Sequence, residues 1–281
     1  MATINSKASI SPDGGDGAIV VGVSLHQIIK QMFANGEQGF AYDPNDLSTM
    51  FQDAAGTVPV TGTGQPVGLV KDKSGRNNHA FQTNAASRPL LQRNATTGAY
   101  YLAFDGSDDF LVTNSIDFTA TDKISLFAGV RKLSDAGTGL VFELSANSET
   151  TRYSFALFAP SAAGANSYNF RSFGSSGNAA GTPITTAYPA PHSAVLTASA
   201  KISTSLCRLS INRASPLLIA QSQGTGNYGN YPLYIGRRGG TTLPFNGHIY
   251  SIIGIGRLTT NSEAAAIEKE LAKRTGVTLN V

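Results

Sequence analysis

The sequence predicts an all-β protein: a two-sheet antiparallel sandwich of jelly-roll type, with a short C-terminal helix and an N-terminal attachment segment. Three observations lead there. Short runs of alternating apolar and polar residues recur from residue 100 onward, separated by turn residues. Between them lies no helical span of the length a βαβ unit needs. Thirty glycines in 281 residues and a charged content of only 14% suit turns and hydroxyl-rich strands better than helices. A hydrophobic fraction of 41% supports one substantial core, so one main domain is expected.

The strand runs are 100–104, 110–113, 124–132, 140–145, 152–158, 167–173, 193–199, 207–212, 215–220, 232–236 and 247–257. In 124–132, Ile124, Leu126, Ala128 and Val130 alternate with Ser125, Phe127, Gly129 and Arg131, which gives one buried and one wetter face. Tyr153, Phe155 and Leu157 share a face in another run, as do Cys207, Leu209 and Ile211. The turn DGSDD (105–109) joins the first two runs and sets Phe104, Phe110 and Val112 in the core. After the last strand, Thr260 and Glu263 form a capping box. Ala264, Ile267 and Leu271 give that helix an apolar stripe, and Gly276 ends it.

Residues 1–40 read differently. SPDGGDG (11–17) is a hinge, residues 18–22 start strand-like, and Ser24 caps a short helix. That helix carries Leu25, Ile28, Ile29, Met32 and Phe33, too apolar a face for a solvated helix of this length. Ile28, Ile29, Met32 and Phe33 are therefore expected to act in assembly, against a sister subunit of a homo-oligomer or another protein. The alternative is that they seal one end of the chain's own sandwich. NGEQG (35–39) breaks the helix, so the boundary falls near residue 40, with an anchoring segment at 1–40 and the sandwich at 41–281.

Composition also excludes functions. A net charge of +3, with adjacent basic residues only at Arg131-Lys132, Arg237-Arg238 and Lys273-Arg274, gives no stripe for nucleic acid. No apolar run is long enough to span a membrane as a helix, and no secretory leader is evident in the first residues, so a soluble protein is expected. The lone Cys207 reads as a small buried hydrophobe. None of the six glutamates has a carboxylate partner at strand spacing, so no glycosidase pair is visible; Glu143 reads as an outward strand residue. His26, His79, His192 and His248 form no zinc-ligand pairing, and no nucleophile elbow occurs. No catalysis and no cofactor are expected, although Asp105, Asp108 and Asp109 offer calcium three hard ligands in one turn. The stretch NYGNY places Asn227, Tyr228, Asn230 and Tyr231 together as a candidate sugar-binding loop.

Two stretches resemble a known family. YLAFDGSDDFLV (101–112) is similar to the strand-turn-strand of concanavalin A-like, laminin-G-like domains. Residues 232–277 resemble the end of such domains through Ile235, Gly236, Phe245, Gly247, Ile249, Leu258, Thr259 and Glu263. The opening 42–91, with DPNDLSTMFQD (43–53), GQPVG (64–68), DKSG (72–75) and NHA (78–80), resembles a subset found in virion structural proteins of tailed bacteriophages. Where that subset carries a tryptophan, this chain has Phe40 or Ala41. The resemblance implies a virion component, a capsid-surface or tail-associated decoration or fibre protein partnered by other virion proteins. A carbohydrate-binding module that reads a host surface glycan is the alternative, and a polysaccharide-degrading glycosidase is a more distant one.

Overall fold

The computed structural model describes residues 23–146, 151–175, 180–181, 187–219 and 221–280. The hinge at 11–17 and the strand-like run 18–22 lie outside the described residues. In chain order the elements are α1 (Leu25–Met32), β1 (Gly39–Tyr42), β2 (Met50–Phe51), β3 (Leu69–Val70), β4 (Ala80–Phe81), β5 (Leu90–Arg93) and β6 (Tyr100–Asp105). They continue with β7 (Leu111–Asp117), β8 (Lys123–Lys132), β9 (Leu140–Leu144), β10 (Phe155–Phe158), β11 (Asn169–Ser172) and β12 (Ala180–Gly181). The last are β13 (His192–Lys201), β14 (Leu206–Ile211), β15 (Leu217–Ile219), β16 (Asn230–Ile235), β17 (Asn246–Ile255) and α2 (Asn261–Thr275).

Two antiparallel sheets result, as the alternation predicts. One runs β15-β14-β13-β8-β17-β6-β5, and β1 joins β17 beyond the end of β6. The other runs β12-β11-β10-β9-β16-β7-β4-β3-β2. Between them Ile124, Leu126, Ala128 and Val130 of β8 meet residues such as Phe142, Phe155, Phe170 and Leu233 from the facing sheet. Cys207, Leu209 and Ile211 point into the same core.

The first sheet is apolar on its outer face as well. Phe127, Val195, Ile253 and Ile255 point away from the main core into a second one. The helices cover it, with Leu25, Ile28, Ile29, Met32 and Phe33 from the α1 segment and Ile267, Leu271 and Ala272 from α2. The four residues expected to serve assembly are thus 1–4% exposed within a single chain, because its own sheet and α2 supply the apolar surface they need. The boundary expected near residue 40 falls inside β1, whose Gly39 and Phe40 pair with Ile255 and Gly254. A Cβ on Gly39 would lie 2.1 Å from the Gly254 carbonyl oxygen, so glycine alone allows this approach.

Both capping boxes form. The Ser24 hydroxyl accepts from the Gln27 N–H, and Thr260 is capped reciprocally with Glu263. Gly276 adopts a left-handed φ of 75° just past α2. Arg257 then ties the layers together. Its guanidinium donates to Glu263 at 2.8 Å, to Glu37 at 3.2 Å and to the Met32 carbonyl at 3.2 Å, joining both helices to the end of β17.

The motifs of the opening stretch 42–91 have structural work. Asp43 receives Arg274 of α2 at 2.5 and 3.1 Å, and Asn45 exchanges hydrogen bonds with the Tyr100 backbone. The Asp72 carboxylate accepts from the backbone N–H groups of Ala41, Ser74 and Asn78, while His79 Nδ1 accepts from the Asp72 N–H.

The strand-turn-strand at 100–117 departs from expectation in register. Phe104 is buried, but Phe110 and Val112 are only half-buried, whereas Leu111, Thr113 and Ile116 are buried. Phe110 belongs to the turn, so β7 begins one residue later and its facing parity is reversed. Tyr153 likewise precedes its strand, with φ 58°, while Phe155 and Leu157 point inward as expected.

Two outcomes test this packing. Phe104→Ala is expected to cost about 3–5 kcal/mol in a denaturant melt, as for a fully buried ring. Deleting residues 1–40 removes α1 and half of β1, so the remainder is expected to melt lower and to bind a hydrophobic dye through Phe127, Val195 and Ile253. An unchanged melt and no dye binding would mean that α1 is dispensable to the sandwich.

Candidate functional site: a polar cleft beside the second helix

The outer face of the first sheet changes character towards β14, one strand in from its β15 edge. Alternation that sends Ala198, Cys207 and Leu209 into the core leaves Thr197, Ser199, Arg208 and Ser210 outside. These four form a tile, because Thr197 is paired with Ser210 and Ser199 with Arg208. The first turns of α2 make one wall with Thr260, Asn261, Ala264 and Glu268. The turn after β14 makes the other with Arg213, Ala214, Ser215 and Pro216. The enclosed cleft has a volume of about 360 Å³.

Its charges are arranged around Glu268, which is 5% exposed. One carboxylate oxygen accepts from the Thr197 hydroxyl at 2.6 Å; the other lies 3.8 Å from Arg213 Nε. Burial pushes the Glu268 carboxyl above its ordinary value, opposed by Thr197 and Arg213. Arg208 donates through Nε to the Ser199 hydroxyl at 2.5 Å, which leaves its terminal N–H groups for the cleft. Glu268 is the single carboxylate among the lining residues, so the cleft lacks the two-carboxylate arrangement of a glycosidase.

The Arg213 backbone is unusual. Asn212 and Arg213 have φ of 54° and 61°, and the Ala214 N–H donates to the Ile211 carbonyl at 3.0 Å, a turn with two left-handed central residues. Asparagine tolerates this conformation, and glycine is the default second residue. Arginine there carries backbone strain, of the kind that collects at binding sites. The turn is held by the Asn212 side chain, which accepts from the Val195 N–H, and by Asn280 donating to the Asn212 carbonyl.

The residues singled out from sequence lie elsewhere. In NYGNY, Tyr228 is 1% exposed, stands edge-on to Phe155 at 5.5 Å and places its hydroxyl 2.7 Å from Ser172. It cannot stack on a sugar. Tyr231 packs against the main core, Asn227 donates to the Thr119 carbonyl and Asn230 is exposed at the start of β16, so the four form no common face. Asp105, Asp108 and Asp109 do come together, each offering a ligand atom within 4.8 Å of the others. Their hydrogen bonds also build the turn: Asp105 accepts from the Ser107 N–H, Asp109 from the Asp105 N–H, and Asp108 from the Ser87 hydroxyl. Glu143 does sit on the outer face of its sheet, but it is covered by Arg238, which donates to it at 2.7 Å. Cys207 is fully buried, and burial pushes its thiol up to about 12.

No protein-family model matches the chain, and no curated protein matches it. Solved structures do. The ligand-binding domain of botulinum neurotoxin serotype D, in complex with N-acetylneuraminic acid, is similar over 86% of this chain and 52% of its own, with TM-score 0.55 and 10% identity. A structure of botulinum neurotoxin type C, whose cell entry depends on two ganglioside molecules, is similar over 86% of this chain and 53% of its own, with TM-score 0.54 and 10% identity. The receptor-binding domain of the C/D mosaic serotype gives 84% and 51%, TM-score 0.53 and 10% identity. The chain spans about half the length of these domains, and the likeness is one of fold.

The aspartate turn yields a pH prediction. Burial, with the charges of Asp105 and Asp108, pushes the Asp109 carboxyl up to about 6. The folded chain holds that proton more tightly than the unfolded one. The resulting stabilisation is complete below the ordinary carboxylate range of ~3.9 and is lost as pH rises through about 6. Asp109→Asn, neutral throughout, is expected to melt higher than the parent at about pH 8 and to lose that advantage below about pH 4. A melt difference independent of pH would contradict the assignment.

Proposed function

We propose that this chain is a non-catalytic carbohydrate-binding domain whose ligand site is the cleft between β13, β14 and α2. The observation that carries the reading is Arg213, held in a left-handed conformation that puts its guanidinium beside Glu268 at the mouth of a hydroxyl-lined cleft. A buried carboxylate that accepts and planar guanidinium groups that donate are the partners a pair of adjacent sugar hydroxyls needs. The toxin domains of similar fold are ligand- and receptor-binding domains, one of them in complex with a sugar acid, which supports a binding role but selects no site.

The motifs at 42–91 supply the setting we propose: a capsid-surface or tail-associated virion protein, carried on the particle as a homo-oligomer beside other virion proteins and reading a host surface glycan. Peptides of the chain in purified, nuclease-treated particles would support that setting, and their absence would remove it without touching the cleft. Calcium at Asp105, Asp108 and Asp109 is a separate proposal. It requires a rise in melting temperature with added calcium that Asp108→Asn abolishes.

The cleft is tested by glycan-array screening followed by calorimetry on the best ligand. Arg208→Ala and Glu268→Gln are each expected to weaken binding roughly tenfold or more, since a hydrogen bond to a charged group is worth ~1.5–3 kcal/mol. Arg213→Gly separates function from folding. It relieves the left-handed strain, so the variant is expected to melt at or above the parent while losing affinity. Undiminished affinity in all three variants, or ligand contacts mapped to another face, would refute the reading.

A further inference from the structure

The two helices leave a second part of the same outer face uncovered, past the end of α2, where Leu271 and Thr275 pack over Gly129. One step further along β8 comes Arg131, the direct cross-strand partner of His248 on β17 and of Ser193 on β13. The His248 ring stacks on Tyr101 at 4.0 Å and 18°, and Tyr101 leans on Tyr250 at 5.1 Å. Arg131 Nε and His248 Nδ1 are both buried, and neither has a hydrogen-bond partner among the described residues. Arg131 makes no ion pair among the described residues, while Arg238, Arg257 and Arg274 each hold a carboxylate. A half-buried guanidinium beside an unpartnered imidazole nitrogen carries a desolvation penalty that no carboxylate among the described residues offsets.

We propose that Arg131 and His248 form a second binding site, distinct from the cleft, for an oxyanion: a carboxylate, sulfate or phosphate group. The planar guanidinium suits such a group bidentately, and an arginine without a carboxylate is free to take one. Tyr101 fixes the imidazole by stacking, so that half of the site is preorganised. Burial together with the Arg131 charge pushes the His248 imidazole down to about 4, which makes it neutral in the free protein and responsive to a neighbouring anion. The source of the oxyanion is either a free inorganic ion or an acidic residue of a glycan.

The experiment follows the His248 ring resonances of the full chain during titration with inorganic sulfate, with inorganic phosphate, with galacturonate and with neutral galactose. A saturable shift with any of the anions but not with galactose is expected. Sulfate or phosphate alone identifies a free ion as the source, and galacturonate identifies an acidic sugar. Arg131→Gln should abolish the shift, and Arg208→Ala, in the cleft, should leave it intact. If Arg131→Gln fails to fold, Arg131→Lys keeps the charge but loses the planar fork and should weaken the response roughly tenfold. No saturable shift, an equal shift with galactose, or a shift unchanged in the Arg131 variants would overturn the proposal. Because Arg208→Ala reads the cleft and the Arg131 variants read this site, failure of one leaves the other standing.

Discussion

A sheet that is apolar on both faces cannot be half of a simple sandwich. Phe127, Val195, Ile253 and Ile255 would be in water if the first sheet were covered only by its partner. That requirement fixes most of what surrounds it. It draws α1 and α2 onto one face, and it places Gly39 against Gly254 so that β1 can close the edge of β17. It also explains why two arginines fasten the helical layer at separate points, Arg257 through Glu37, Glu263 and Met32, and Arg274 through Asp43 and Ser251. Ion pairs of this kind add less to stability than the apolar area they secure, but they set the position of the helices.

The same constraint creates the cleft. Where the outer residues are Phe127 on β8, Val195 early in β13 and Ile253 and Ile255 on β17, helix packs directly on sheet. Where β13 and β14 turn to Thr, Ser and Arg, there is nothing apolar to bury, and the wall of α2 stands off the sheet around a polar gap. Glu268 marks the transition: it lies on the helix that carries Ile267 and Leu271 into the second core, but it faces the hydroxyls. The position of the candidate site therefore follows from where hydrophobic alternation on the outer face stops.

Local signals were legible in the sequence, and encounters between distant segments were not. The caps at Ser24, Thr260 and Gly276 depend on a few adjacent residues, and the inward faces of β8 and β14 depend on simple alternation, so both could be read directly. The outward residues of those strands were just as visible, yet nothing local says which of them a helix will cover. Thr197, Arg208, Arg213 and Glu268 come from β13, β14, the turn after β14 and α2, and meet only in the fold. Arg213 carried one faint sign, an arginine after an asparagine in a hairpin turn, whose meaning depends on backbone angles. Tyr228 misled for the opposite reason. A tyrosine among glycines and asparagines reads as a surface residue, but Ser172, 56 positions earlier, receives its hydroxyl inside the core.

Cys207 gives the molecule a built-in clock. Its thiol is sealed on the inner side of β14, directly beside Arg208 on the cleft floor, and its high proton affinity keeps it chemically silent at neutral pH. An alkylating reagent can therefore reach it only when β14 lifts away from β13 and β15. The rate of labelling measures how often that edge opens, on a timescale that equilibrium melting does not resolve. Anything bound across Thr197, Ser199 and Arg208 bridges the two strands that must part, so occupancy of the cleft would be written into the lifetime of a single sulfur atom.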